Sequence, residues 1–333
     1  MSVAAPAGTL TVTPVAGRIG ADIAGVDLAA DLDSETVETI HDALAEHKVL
    51  FFRGQALDHA AHIALARRFG RPTNGQPHRP AGSGPYPEIH VVDPEPDEAQ
   101  YGRGYEERMR RHRASYRAGW HTDASPAVNP PAAAILRAEQ VPPFGGDTQW
   151  TNLVAAYEGM SEPLRAFADS LTAEHWFLAG FDIREHDPEA GDLARQLTAA
   201  PIISVHPVVR VIPETAEHAL FVNPSSTGRI VGLSAVESRR VLDLFYEQIT
   251  RDEYTVRFRW EPGSVAFWDN RTTAHLAALD NAHIDSRRRL YRVSLLGEKP
   301  MGPTGFVSRS IAGEPILAAE ADPADTYSGQ VAP

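Results

Sequence analysis

Apolar positions along the chain follow two different periods, and the shorter period predominates. Residues 10–13 alternate apolar and polar side chains, as a half-buried strand does, whereas Val49–Phe52 is a continuous apolar run typical of a buried strand. Between such runs, apolar residues three or four positions apart predict helices. One helix begins at Asp33 or Ser34, either of which can cap it, and places Ile40 and Leu44 on one face. The pattern indicates many short strands joined by a few helices.

The rest of the chain continues this alternation. Asp58 is predicted to start a second helix that ends at Gly70, and Ser234 with Glu237 forms a capping box for a later one. Further strand-like segments are 89–92, 132–136, 147–150, 201–211, 220–223, 254–260, 264–268 and 290–296. No internal repeat or long linker divides the chain, so we expect one α+β domain over residues 1–333 on a β-sandwich or barrel, with its core at about 10–300.

Two segments do not fit the alternation. Residues 93–118 are polar, with many acidic residues, arginines and tyrosines, and we expect a lid or an insertion there. Residues 301–333 are rich in Ala, Pro and Gly and form a C-terminal tail of unassigned structure.

Composition then narrows the possible functions. The 333 residues contain no cysteine, which excludes disulfides, thiolate nucleophiles and cysteine-held metals. The net charge is 31 − 44 = −13, which argues against nucleic acid as a partner. No signal peptide opens the chain and no apolar run reaches the length of a membrane span, so we expect a cytoplasmic protein without a membrane partner.

The candidate chemistry centres on residues 119–123, Gly-Trp-His-Thr-Asp. On an extended strand, side chains two positions apart share a face, so His121 and Asp123 could reach one metal ion. A second histidine would complete a 2-His-1-carboxylate triad, which leaves open positions on Fe(II). A His-x-Asp pair is common by chance, so its meaning depends on the rest of the chain.

Several stretches in order resemble the taurine dioxygenase and 2,4-dichlorophenoxyacetate dioxygenase family of Fe(II)- and 2-oxoglutarate-dependent oxygenases. The resemblance covers about residues 10–300, and its order along the chain makes it specific. The matching stretches are 19–28, 49–55, 68–70, 120–123, 142–148, 206–210, 221–223, 268–271 with His275, and 288–292.

The resemblance implies a double-stranded β-helix, or jelly roll, flanked by helices. It implies that His121, Asp123 and His275 bind Fe(II), with His275 identified by its position after residues 268–271. 2-Oxoglutarate and O2 would be the other reactants, and succinate and CO2 would form while a substrate C–H bond is hydroxylated. Where the hydroxylated carbon bears a heteroatom, the product would then break down and release an aldehyde or ketone.

The same resemblance assigns the remaining site residues. Arg288 would anchor the distal carboxylate of 2-oxoglutarate beside the Thr148 hydroxyl, and Arg287 or Arg289 would take this role if the register differs. Arg292 would hold the anionic group of the substrate; the alternative is a structural arginine that pairs with a buried acid. His78 and Trp120 are weaker candidates for substrate contacts; a surface histidine and simple wall packing are about as well supported.

We therefore expect a dioxygenase acting on a small anionic substrate, such as a sulfonate, sulfate ester or aryloxyalkanoate. Because of the segment 93–118, an alternative substrate remains: a carboxylate-bearing amino-acid derivative of secondary metabolism. Two further classes of protein are compatible with the same three ligands: a zinc hydrolase, and a binding protein with a vestigial metal site. Relatives of this type are often homodimers or homotetramers, and the same is expected here.

Overall fold

The described part of the chain forms sixteen short strands and eight α-helices. The structure, a computed structural model, describes residues 9–74, 85–101, 104–183, 191–278, 280–281, 283–284 and 286–319. The helices are α1 Ser34–His47, α2 His59–Phe69, α3 Pro94–Tyr101, α4 Tyr105–Arg111, α5 Leu153–Glu158, α6 Glu162–Asp169, α7 Gly191–Ala199 and α8 Ala235–Ile249. The strands are β1 Thr11–Pro14, β2 Ala21–Ala24, β3 Val49–Phe52, β4 His90–Val92, β5 Ala133–Gln140, β6 Thr148–Asn152, β7 Thr172–Trp176, β8 Ile203–Pro207, β9 Val209–Val211, β10 His218–Leu220, β11 Thr227–Ile230, β12 Thr255–Phe258, β13 Val265–Asp269, β14 Thr273–Ala277, β15 Arg289–Leu295 and β16 Arg309–Ala312.

Helix starts follow the capping residues that the sequence offers. Asp33 and Asp58 each accept a hydrogen bond from the backbone N–H three residues further on, at 2.7 and 2.8 Å. At the start of α8, Ser234 and Glu237 form the reciprocal capping box. These three predicted helix starts are confirmed.

The largest sheet has the strand order β1-β2-β3-β13-β5-β15-β4, and among its described strand pairs only β2–β3 is parallel. Alternate residues of its strands face opposite ways. Ile135 and Val293 belong to the core that also contains residues of α1 and α2. Leu136 and Leu290 belong to the core on the other face, with Trp150 from β6. The space between β15 and the smaller β12-β6-β14 sheet is therefore an interior.

Two further sheets lie beside this pair. One has the order β11-β7-β8-β16, and the other is the β10-β9 hairpin. Their core includes residues of α5 and α8. Because β16 pairs with β8, the described part of the C-terminal tail, up to residue 319, contributes a strand to a sheet. The predicted lid segment 93–118 contains α3, α4 and most of the 3₁₀ turn Tyr116–Gly119.

The architecture is a mixed, sheet-rich α+β fold, as the pattern predicts. Among the helices of the described chain, none combines the length and apolar character needed to cross a bilayer.

Candidate metal centre

The segment that carries His121 and Asp123 differs from the extended strand predicted for it. His121 makes a single bridge to His275 on β14, and the chain turns at Asp123, so that Ala124 has a φ of 48°. The two side chains reach a common point where the chain turns after the bridge at His121. They do not lie on one extended strand. The prediction that they lie together is right, and the reason given for it is wrong.

Local packing holds this segment against β14. His121 N–H donates to the His275 carbonyl at 2.9 Å, and His275 N–H donates back at 2.7 Å. A β-carbon on Gly119 would lie 2.5 Å from Leu276 Cδ1 and 2.6 Å from Arg113 Nη1, so both side chains would have to move to admit one. The bridge brings two histidines that are far apart in the chain onto one face.

A buried asparagine then fixes the backbone of Asp123. Asn270 accepts from Asp123 N–H at 2.9 Å and donates to the Asp123 carbonyl at 3.1 Å. Its Nδ2 also donates to the Pro131 carbonyl at 2.9 Å. Asn270 is fully buried. Its side-chain amide bonds to both the N–H and the carbonyl of Asp123, as the backbone of a neighbouring strand would. In the sequence, Asn270 stands out only because it lies between an aspartate and an arginine shortly before His275. Nothing in that pattern predicts its contact with Asp123.

The three candidate ligands present their donor atoms to one point. Asp123 Oδ1 lies 3.7 Å from His121 Nε2 and 3.8 Å from His275 Nε2, and ligand atoms of all three residues lie within 4.8 Å of one another. Donors in cis positions of an octahedral ion are about 3 Å apart. A shift of less than about 1 Å per donor would close the set around a metal, so the residues fit one.

The protonation states also suit a metal. His121 Nδ1 is 3.0 Å from the Gly119 carbonyl, which only accepts, so Nδ1 carries a proton and Nε2 is the nitrogen left for a metal. Burial, reinforced by His121, lowers the pKa of His275 to about 3, which keeps that ring neutral.

Arg292 enters the site from the large sheet. Its Nη1 lies 2.7 Å from both carboxylate oxygens of Asp123. Burial alone raises the pKa of the Asp123 carboxyl, but Arg292 and the nearby histidines outweigh it and the pKa falls to about 2. The carboxylate is therefore ionised and available as an anionic ligand.

His90 is a site residue that the sequence motifs do not indicate. It lies opposite Arg292 in the β4–β15 pairing, and residues paired in this way project to the same face. It also lowers the pKa of Asp123, by less than Arg292, His275 and His121 do. No motif in the sequence singles out His90, because only the register of β4 brings it to Arg292.

The candidates for binding 2-oxoglutarate lie near β6. Thr148 is buried, and its hydroxyl oxygen accepts a hydrogen bond from Trp260 Nε1 at 2.9 Å. Arg288 Nε donates to the carbonyl of Gly146, two residues before Thr148, at 3.1 Å.

The two neighbouring arginines are directed elsewhere. Arg287 pairs with Glu95 at 2.8 Å, and Arg289 pairs with Asp93 at 2.6 Å and with Glu95 at 3.2 Å. Both therefore face the segment 93–118, whereas Arg288 faces β6.

The last two predicted substrate contacts have different outcomes. Trp120 is buried, and its carbonyl accepts from Ser225 N–H at 3.1 Å. Its contact with substrate stays a prediction. His78 lies outside the described residues.

Two imidazoles and one carboxylate that converge in this way could hold a metal ion, and they are the ligand set of the facial-triad sites of non-haem Fe(II) oxygenases. Comparison with known proteins agrees. The family model described as "Taurine catabolism dioxygenase TauD, TfdA family" matches residues 11–294. The chain belongs to this family and is a 2-oxoglutarate-dependent dioxygenase that uses Fe(II), 2-oxoglutarate and O2. The predicted family, enzyme class and cofactors are confirmed.

Individual relatives match nearly the whole chain. An alpha-ketoglutarate-dependent sulfate ester dioxygenase of Pseudomonas putida is 39% identical over 305 residues, covering 90% of this chain and 94% of the relative. An alkylsulfatase of Acinetobacter baylyi is 33% identical, covering 97% and 96%. The crystal structure of a taurine dioxygenase from Burkholderia xenovorans is 42% identical, with a TM-score of 0.77 and coverage of 92% and 96%.

Proposed function

We propose that this dioxygenase oxidises the ester carbon of a small alkyl sulfate. The relatives described as a sulfate ester dioxygenase and an alkylsulfatase support this substrate class. The observation that carries it is the partly buried Arg292 beside Asp123, a cation next to the candidate metal ligands to which an anionic group could bind. His90 on the same face adds a second polar group to that wall.

The residues of the site then have separate roles. His121, Asp123 and His275 hold Fe(II), which together with 2-oxoglutarate and O2 supplies oxidation of a C–H bond with release of succinate and CO2. Arg288 and Thr148 bind the distal carboxylate of 2-oxoglutarate. Because the Thr148 oxygen already accepts from Trp260, its single proton is left to donate to that carboxylate.

Arg292 holds the sulfate group and so directs the neighbouring carbon toward the metal. Hydroxylation of R–CH2–OSO3⁻ gives R–CH(OH)–OSO3⁻. The C–O bond to sulfate then breaks while the hydroxyl proton leaves with the sulfate, which yields an aldehyde and hydrogen sulfate. Trp120 and His78 complete the substrate wall in this proposal.

We also propose the finer features of the architecture. The large sheet and the β12-β6-β14 sheet form the two halves of a double-stranded β-helix within one domain, and residues 93–118 act as a lid over it. The ion pairs of Arg287 and Arg289 with Asp93 and Glu95 support a lid anchored next to the Arg288 position. A cytoplasmic homodimer or homotetramer is the proposed working form.

The test is a substrate panel under Fe(II), 2-oxoglutarate and O2. It contains alkyl sulfates, alkyl sulfonates, aryloxyalkanoates and N-substituted amino acids, with succinate and the released sulfate, sulfite, phenol or aldehyde measured. Alkyl sulfates are expected to give equal amounts of succinate, sulfate and aldehyde. Faster coupled turnover of another class would replace the proposed substrate, and turnover of an amino-acid derivative would favour the substrate class that the segment 93–118 suggests.

A further inference from the structure

Arg292 donates a hydrogen bond to Asp123 Oδ1, which is also the oxygen that faces the two candidate histidine ligands. Arg292 Nη1 lies 2.7 Å from Asp123 Oδ1, and Oδ1 is also the atom 3.7 and 3.8 Å from the two histidine Nε2 atoms. The pair is shielded from solvent, with the Arg292 and Asp123 side chains 14% and 7% exposed. Asp123 therefore offers to a divalent metal an oxygen that already contacts a cation of the protein.

Electrostatics makes these two cations compete. Both are attracted to Asp123, and they repel each other across a short, poorly screened distance. An anion bound to the guanidinium would neutralise part of that charge and draw Nη1 away from Oδ1. Metal binding would then become more favourable because its ligand is released and the repulsion falls.

Arg292 has donors left for such an anion. A guanidinium carries five N–H groups, and the hydrogen bonds it makes to the described residues come from Nη1 alone. Its Nε is buried and has no hydrogen-bond partner among those residues. The guanidinium can therefore change partners without first breaking other bonds to the protein.

We propose that Arg292 couples the two sites, so that an anionic substrate strengthens metal binding and the metal strengthens substrate binding. This coupling rests on the proposed function, since it assigns the substrate anion to Arg292. Linkage requires the two effects to be equal: the factor by which the anion raises metal affinity is the factor by which the metal raises anion affinity. Loss of metal would then also release the substrate anion.

The experiment measures Mn²⁺ binding without turnover, by calorimetry or by the electron paramagnetic resonance signal of free Mn²⁺. Hexyl sulfate is the anionic probe and 1-hexanol is its neutral control. In the wild-type protein, hexyl sulfate is expected to tighten Mn²⁺ binding about tenfold, within the usual range for coupled sites. Mn²⁺ should tighten hexyl sulfate by the same factor, and 1-hexanol should have no effect.

Variants separate charge from fold. Arg292→Gln removes the competing cation, so it should bind Mn²⁺ more tightly than the wild type and show no response to hexyl sulfate. Arg292→Lys keeps the charge and should bind Mn²⁺ near the wild-type affinity. Arg229→Gln is the control, because it removes an arginine that also pairs with a carboxylate, that of Glu174, but at the surface. It should leave both affinities unchanged.

The outcomes are distinguishable. If hexyl sulfate binds equally well with and without Mn²⁺, the coupling is wrong and the proposed substrate class stands. Weaker Mn²⁺ binding by a folded Arg292→Gln protein would also overturn the coupling, since Arg292 would then assist the metal. If hexyl sulfate neither binds nor turns over, the proposed substrate class fails and the coupling fails with it. Should the Gln variant not fold, the wild-type linkage measurement decides alone.

Discussion

Two pairs of close histidines flank one turn in the described part of the chain, and only one of these pairs can hold a metal. The rings of His121 and His275 lie 4.2 Å apart, and those of His175 and His206 lie 4.9 Å apart. The turn joins them, since Ser125 contacts the second pair two residues after Asp123. Distance between rings therefore does not distinguish them.

The difference is in the partners of the ring nitrogens. His206 Nε2 donates to the Ser125 carbonyl at 2.9 Å, and its Nδ1 lies 2.8 Å from the Ser308 hydroxyl. His175 reaches Ser125 Oγ and Thr227 Oγ1 in the same way. Protein groups thus occupy all four nitrogens of this pair. In the first pair, the Nε2 atoms instead face the Asp123 carboxylate.

A metal site therefore needs histidines whose nitrogens the protein has left for an ion, together with an ionised acid. The buried pair has neither, and its role is to fix the turn that carries Asp123. Both rings of that pair are kept neutral, because burial lowers the pKa of His206 to about 3 and that of His175 well below its usual value.

The largest expected difference between the pairs is in activity. His275→Ala should reduce succinate formation to background, because the triad loses a ligand. Its unfolding transition should change little. His206→Ala should retain turnover in the fraction that folds. Wild-type turnover by His275→Ala would break the comparison, and succinate release with Mn²⁺ binding measured in parallel decides it.

The second difference is in stability. His206→Ala should lower the free energy of unfolding by about 2–4 kcal/mol, since it leaves a cavity and an unpaired Ser125 carbonyl in the interior. Urea unfolding of the metal-free protein measures this, with His275→Ala beside it. A larger loss for His275→Ala than for His206→Ala would reverse the roles assigned to the pairs.

A third prediction concerns the clamp on Asp123. Asn270→Ala should weaken Mn²⁺ binding by roughly 10–100-fold, as loss of a group that orients a metal ligand does. Asn223→Ala is the comparison, because Asn223 is a buried asparagine that donates to Ser125 Oγ at 3.0 Å and holds the same turn from its other side. Titration of both folded variants should show the larger loss for Asn270→Ala. Equal losses would mean that the turn as a whole, and not the clamp, sets metal affinity.

The smallest predicted effect is a pH slope. His206 is neutral in the folded protein down to a pKa of about 3, whereas in the unfolded chain it protonates near 6.5. The unfolded state therefore binds the extra proton between these values, and stability falls as the pH falls through that window. His206→Gln should make the slope shallower by up to about 1.4 kcal/mol per pH unit. Urea midpoints measured from pH 6.5 to 4.5 test this, and an unchanged slope would contradict a neutral buried His206.

Much of the site was predictable because its residues stand in short, ordered motifs. His121, Asp123 and His275 come together as expected, and Arg288 rather than its two neighbours faces β6. His90 was not predictable, since nothing near it in the chain carries chemistry and only strand register brings it to Arg292. The strand within the C-terminal tail was also missed, because its partner β8 lies about a hundred residues earlier.

The sequence by itself determined the fold class, the capping residues of the helices and the set of groups available to a metal. These are local properties, set by periodicity, hydrogen-bonding capacity and the absence of cysteine. Tertiary structure alone decided which histidines keep a nitrogen for the metal, and that Arg292 and Asn270 both serve Asp123. Such choices depend on contacts between residues 50 to 169 positions apart, which the pattern of neighbouring residues does not encode.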